Sequence, residues 1–219
     1  MDLSQRLANL QKQCAAAPGV QPRLLAVSKT VPARTLRAAY ALGLRHFGEN
    51  YLQEALAKQA ELADLDIQWH FIGRIQRNKT QAIAEHFQWV ESVDRLLIAE
   101  RLHAARGDLP PLNCLIEVAI SGEASKGGVA PAEVLPLARA MTALPGLRLR
   151  GLMALANPDP QLAPQDFAAM ARLYGQLQEQ LPSAGIDTLS MGTSGDYPLA
   201  IAAGATEIRI GTALFGARA

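Results

Sequence analysis

The stretch RLLAVSKTVPARTLRAAYALGLRHFG, residues 23–48, contains a strand, a helix and a second strand in immediate succession. Its first six residues form a short apolar run between turn formers, with no alternation, as expected of a strand buried on both faces. Pro32 stands where a helix can begin, and Ala38, Ala39 and Leu42 carry an apolar side up to Gly43, a natural residue just past a helix end. The segment 44–48 then reads as a strand again. Such a unit implies parallel pairing through a right-handed crossover.

Outward from this unit the alternation repeats. Strand-like segments fall near 67–72, 87–91, 112–119, 147–154, 186–190 and 206–210, with helical stretches near 51–63, 76–85, 94–105, 131–143, 164–181 and 195–203. That makes eight strands, seven of them followed by a helix. One more helix precedes them, with Leu3, Leu7, Leu10 and Cys14 at helical spacing after Asp2 as its N-cap. An open doubly wound sheet would carry a G-x-G-x-x-G turn, which follows none of these strands. The pattern therefore predicts an α/β fold, a single (β/α)8 TIM-type barrel with an extra N-terminal helix, as one domain over residues 1–219. Only GTALFGARA remains after the eighth strand, and the N-terminal helix is expected to cover the resulting gap.

Composition sets the outer limits. Of the 219 residues 49% are hydrophobic and 19% charged, which excludes disorder and fibrous repeats. Lys and Arg number 21 against 20 Asp and Glu, with no basic tail, so a nucleic-acid partner is not expected. Cys14 and Cys114 match neither a disulfide framework nor a zinc spacing. No apolar run reaches the ~20 residues of a membrane span, and the opening MDLSQRLANLQKQ is too polar for a signal peptide. The expectation is a reduced, cytoplasmic protein without a membrane partner.

Barrel active sites lie at the C-terminal ends of the strands. Two of those ends stand out. Lys29 closes an apolar strand, where partial desolvation would lower its pKa and expose a nucleophilic amine; the plain alternative is a lysine that snorkels to water. The seventh and eighth ends supply MGTSGD (191–196) and RIGT (209–212), whose glycines, hydroxyls and N–H groups suit a phosphate; the plain alternative is capped glycine turns. In a closed barrel the eighth strand neighbours the first, so the two features converge, and a phosphate cradle beside a lysine and an arginine fits a pyridoxal-phosphate site. Other signals are weaker. GRIQRNKT (73–80) is one residue short of a P-loop and lacks an acidic partner for magnesium, leaving Arg74, Arg77 and Lys79 as a solvated rim. His46 and His70 sit within strands as core residues, and Lys126 lies in a flexible, solvated loop, SGEASKGG (121–128).

The blocks LLAVSKT, HFGENYLQEA, WHFIGRIQRNK, ESVD, GLMAL and LSMGTSGDYPLAIAAGATEIRIGTALFG together resemble the pyridoxal-phosphate homeostasis protein family. These are single-barrel relatives of the alanine racemase N-terminal domain, fold-type III, and the resemblance spans about residues 23–217. It implies that Lys29 forms an internal aldimine with pyridoxal 5'-phosphate. It also implies that Ser194, Gly211 and Thr212 bind the phosphate, that Arg209 faces the pyridine nitrogen, that Asn50 lies near the other ring substituents and that Met191 lines the pocket. The chain reads MGTSGDYPLAI where the family has something closer to MGMSDDMEAAI, so Ser194 is kept and Gly195 replaces an acidic neighbour. The family is understood to hold the cofactor and balance vitamin B6 and amino-acid pools without established turnover. Implied partners are the cofactor and the apo-enzymes that need it, and a monomer is expected.

The residues fit that role. A guanidinium donates to the pyridine nitrogen but does not protonate it, which leaves the ring a weaker electron sink. Racemisation also needs an acid on the second face. The racemases take a tyrosine from a second domain, for which this chain has no room, and only Tyr51 and Tyr197 fall near the predicted mouth. A racemase-like enzyme is the second expectation, and a cofactor-free phosphate-sugar enzyme using Lys29 is the third.

Overall fold

A computed structural model describes residues 1–15, 21–122 and 127–216. Its eight strands are β1 (Arg23–Val27), β2 (His46–Glu49), β3 (Gln68–Phe71), β4 (Trp89–Val93), β5 (Leu112–Val118), β6 (Leu147–Ala154), β7 (Thr188–Ser190) and β8 (Glu207–Ile210). All pair in parallel with their chain neighbours, and β8 returns to β1, closing the barrel. The helices are α1 (Leu3–Ala15), α2 (Ala33–Ala41), α3 (Leu52–Glu61), α4 (Thr80–His86), α5 (Leu96–Arg106), α6 (Val134–Thr142), α7 (Ala163–Gln180), α8 (Tyr197–Ala202) and α9 (Thr212–Phe215). The (β/α)8 expectation thus holds, with strand bounds shifted by a few residues at β2 and β4. No helix among the described residues is long and apolar enough to cross a membrane.

Local signals account for the ends of several elements. Asp2 accepts the N–H of Gln5 at 2.9 Å while Gln5 Oε1 accepts the N–H of Asp2 at 3.2 Å, a reciprocal cap that starts α1. Pro32 precedes α2 with φ −63°, and Gly43 follows it at φ +99°, a conformation that costs glycine little. The short α9 packs on α1, whose Leu7, Leu10 and Cys14 are buried, so the N-terminal helix does cover the gap after β8.

Apolar packing divides in two. A large core, including Leu36, Phe47, Ile83, Phe87, Leu102, Met141 and Phe167, is built from the strands and the surrounding helices. A separate small cluster holds Trp89, Leu115 and Met153. Around it the interior is polar: His70, Glu91, Ser190, Glu207 and Arg209 are all buried. Barrels of this class usually fill their interior with branched aliphatic residues, so this one departs from the common pattern.

The sheet carries an irregularity at β6. Cys114 pairs with Leu149 and Leu115 with Gly151, leaving Arg150 as an extra residue. Its guanidinium reaches Asn113 Oδ1 at 2.9 Å and Asp187, and covers the Trp89 ring at 4.9 Å. Gly151 then has φ +149°, and a Cβ there would lie 1.8 Å from the carbonyl oxygen of Thr188. Gly151→Ala is expected to lose about 3 kcal/mol from overpacking and strain, a fall in Tm of roughly 6–12 °C. Differential scanning calorimetry checks this, and an unchanged Tm would show that β7 yields at no cost.

Candidate functional site

The turn after β1 presents Lys29. Ser28 is fully buried and Lys29 half-buried, and Thr30 takes φ +63°, the one non-glycine residue at positive φ among those described. Lys29 points into a cavity of about 760 Å³ at the C-terminal end of the barrel, within the usual range for small-molecule sites. Asn50, Ser194, Arg209, Gly211 and Thr212 line the same cavity. The structure therefore brings together six of the seven residues singled out by sequence. Met191 is the exception: it is fully buried in the main apolar core and does not line the cavity. As the first residue after β7, its side chain turns to the helix side of the sheet.

Each lining group has a local reason for its place. Gly73 lets its backbone pass beside Asn50, since a Cβ there would lie 2.1 Å from the Asn50 carbonyl oxygen. Asn50 Oδ1 is buried and has no hydrogen-bond partner among the described residues. Ser194 Oγ accepts the N–H of Ala213 at 3.1 Å, which leaves its own O–H to donate. Thr193 donates its N–H and O–H to Asp196 Oδ1 at 2.6 and 2.9 Å, fixing the loop before α8.

Sequence reading missed Glu117. It lines the cavity from β5, where burial first and Asp94 second push its carboxyl up, against Arg209 and Arg74. The signal was alternation: Asn113, Leu115 and Glu117 share one face of β5, and the strand end had been placed beyond them. Neither tyrosine expected at the mouth lines the cavity. Tyr51 is 60% exposed, and the Tyr197 hydroxyl donates to Gln13 of α1. Arg74, Arg77 and Lys79 also lie off the cavity, while Lys126 falls outside the described residues.

Below the cavity Arg209 heads a buried chain. Its Nη1 donates to Ser190 Oγ at 2.9 Å and its Nη2 to the Ala154 carbonyl at 2.8 Å. Ser190 donates to Glu91 Oε2 at 2.8 Å, Glu91 Oε1 meets His70 Nδ1 at 2.6 Å, and His70 Nε2 meets His46 Nδ1 at 2.9 Å. One tautomer set satisfies every link: each histidine donates from Nδ1, and His70 accepts on Nε2. Burial lowers the pKa of both His46 and His70 to about 3, so both are neutral at pH 7. Glu207 accepts a hydrogen bond from Arg23 Nε at 2.7 Å, with Arg23 Nη2 2.6 Å from the same oxygen in an ion pair, and burial pushes the carboxyls of Glu91 and Glu207 up. His70, Glu91 and Glu207 offer ligand-type atoms within 4.8 Å of one another. Arg23 already pairs with Glu207, and a divalent cation there would add charge beside two guanidiniums.

The alanine racemase N-terminal domain family matches residues 1–219. The pyridoxal phosphate homeostasis protein of Pseudomonas aeruginosa is 60% identical over 211 residues, covering 94% of this chain and 90% of that one. The chain belongs to this family. The protein of the same name from Escherichia coli K12 is 47% identical over 229 residues, covering 99% and 97%. The structure of PipY from Synechococcus elongatus with PLP bound matches at a TM-score of 0.88 and 42% identity, covering 98% of this chain and 100% of that one. Alanine racemase from Corynebacterium glutamicum shares the fold alone, at a TM-score of 0.75 and 16% identity over 61% of its length.

The buried histidines make stability pH-dependent. Unfolded imidazoles bind protons near pH 6.5, whereas folded His46 and His70 do so only near pH 3. Their contribution is complete above 6.5 and is lost as pH falls from there toward 3, with the raised carboxyls acting in the opposite sense. The stability difference between the parent and His70→Gln is expected to be larger at pH 7 than at pH 5 in urea titrations. An equal difference at both pH values would mean that His70 is not held neutral.

Proposed function

We propose that this barrel binds pyridoxal 5'-phosphate covalently at Lys29 and serves in its homeostasis, holding the cofactor and handing it to apo-enzymes without amino-acid turnover. The observation that carries this reading is the convergence of Lys29, Ser194, Arg209, Gly211 and Thr212 on one cavity at the C-terminal mouth. The family relationship and the PLP-bound structure of PipY support it. The residues present also fit the group: the amine needed for attachment, hydroxyls and an N–H-rich turn for a phosphate, a guanidinium for a ring nitrogen, and a buried Asn50 Oδ1 in want of a donor.

When bound, pyridoxal phosphate supplies an aldehyde that condenses with an amine, releasing one water. Lys29 supplies that amine. Ser194 and Thr212 would hold the phosphate through their hydroxyls, with Ser194 oriented by the Ala213 N–H. Arg209, pinned by Ser190 and Ala154, can only donate to a ring nitrogen, which limits the drain of electrons into the ring.

Borohydride reduction after incubation with pyridoxal phosphate is expected to place a pyridoxyl label on Lys29 by mass spectrometry, and Lys29→Ala to lose both the label and the visible absorbance while staying folded. A label found mainly on Lys79 or Lys126 overturns the assignment. Ser194→Ala should weaken affinity by about 1–3 kcal/mol, roughly tenfold to a hundredfold, and pyridoxal lacking the phosphate should bind far more weakly.

One observation favours racemase-like chemistry as a second reading: Glu117 faces the cavity with its carboxyl pushed up, in the place of a proton carrier. Exchange of the α-hydrogen of alanine in heavy water, followed by NMR, decides between them. No exchange above that of Lys29→Ala is expected; rapid exchange lost in Glu117→Gln would establish an enzyme.

A further inference from the structure

The mouth of the barrel holds a second lysine that the binding role leaves unused. Lys58, in α3, is only 6% exposed and does not line the cavity. Its ammonium has three N–H bonds, and the structure gives each an acceptor: the Ser28 carbonyl oxygen at 2.6 Å, Glu49 Oε1 at 2.7 Å and Glu54 Oε1 at 2.6 Å. These are the groups that hold the turn around Lys29. Ser28 donates its hydroxyl to the same Glu49 Oε1 at 2.6 Å, and the N–H of Thr30 donates to the same Glu54 Oε1 at 2.5 Å. One residue before Lys29 and one after are therefore tied to two carboxylates that share a single ammonium. Thr30 sits in the left-handed region, φ +63°, which strains a threonine and persists only where the surroundings over-determine it. The N–H of Val31 closes the turn on the Ser28 carbonyl at 3.0 Å.

We propose that Lys58 is a positioning residue: through Glu49 and Glu54 it clamps the backbone on both sides of Lys29 and fixes the direction from which the amine enters the cavity. This rests on the reading of Lys29 as the attachment point. A residue that merely stabilised the fold would act equally on every property of the site. A clamp acts on attachment at Lys29 and leaves the rest of the cavity as it was, because Ser194, Arg209, Gly211 and Thr212 belong to β7, β8 and their following turns. Lys58 also has no N–H left over, so it is held out of competition with Lys29 for an aldehyde.

The test compares the parent with Lys58→Met and Glu54→Ala. Lys58→Met leaves Glu49 buried without its cation, a change that can unfold a protein, so the double variant Glu49→Gln/Lys58→Met, which leaves no fully buried carboxylate without a cation and only the partly exposed Glu54 without its ammonium, is made alongside. The first readout needs no cofactor: exchange of the Thr30 amide hydrogen, measured by NMR, is expected to quicken at least tenfold in the variants, with amides of β4 and β5 unchanged. The second compares two probes. Covalent attachment of pyridoxal phosphate is expected to slow at least tenfold, while the affinity for pyridoxine phosphate, which has no aldehyde, stays within about twofold. Glu54→Gln, which keeps an acceptor for Thr30, should recover most of the attachment rate lost in Glu54→Ala. Unchanged Thr30 exchange in the folded variants, or equal losses for both probes, would overturn the clamp. The two proposals fail separately, since an unlabelled Lys29 in the parent overturns the attachment reading while the exchange measurement still decides the clamp.

Discussion

The pairing of β8 with β1 is the constraint on which the site depends. It runs in parallel from Arg23 opposite Glu207 to Ala26 opposite Ile210 and joins the two ends of the barrel sheet. Closure removes the free edges that an open sheet would expose. It also sets the end of the last strand beside the end of the first, so Lys29 and the Arg209–Thr212 segment meet although they lie far apart in sequence. The entropic cost of closing so long a loop grows only with the logarithm of its length. The Arg23–Glu207 ion pair reinforces the same seam from inside, with Glu207 fully buried.

That ion pair belongs to a polar interior, which is an expensive way to fill a barrel. Buried carboxylates stabilise a fold weakly, yet removing one partner is strongly destabilising because the other charge is left behind. The effect here is to fix rather than to strengthen. Arg209 cannot swing away from the cavity floor without stranding Ser190, and Ser190 in turn serves Glu91. Both histidines are neutral and burial disfavours the charged form of Glu91 and Glu207, while Arg209 lines the cavity, so the floor presents a guanidinium toward an anion above it.

The fold was legible because a parallel barrel repeats one local signal, an apolar run followed by a helical stripe, and the resemblance to a known family pointed to the same architecture. Lys29, Asn50, Ser194, Arg209, Gly211 and Thr212 were legible because they stand at strand ends or the turns after them, where the topology must bring them together. Met191 was misplaced because a residue one position beyond β7 turns to the opposite side from its neighbour, and adjacency in sequence says nothing of side. Glu117 was missed by setting the end of β5 too late. The contacts of Lys58 were invisible for a different reason: Glu49 ends a strand, while Glu54 and Lys58 lie on the helix after it, so their common target emerges only once α3 is packed against β2.

Two lysines near one cavity pose a problem of selectivity that the structure resolves by valence. An amine condenses with an aldehyde only where its nitrogen can reach the carbonyl carbon. Lys58 is held away from it, with three acceptors for three hydrogens, almost no exposure and no place in the cavity wall. Lys29 differs in position: it lines the cavity, on a turn whose strain the carboxylates of Glu49 and Glu54 help to hold. The same ammonium that is silenced at Lys58 is thus the one that keeps those carboxylates in place. On the proposed clamp, silencing one lysine and aiming the other are a single electrostatic arrangement, and a change that frees Lys58 would loosen Lys29 as well.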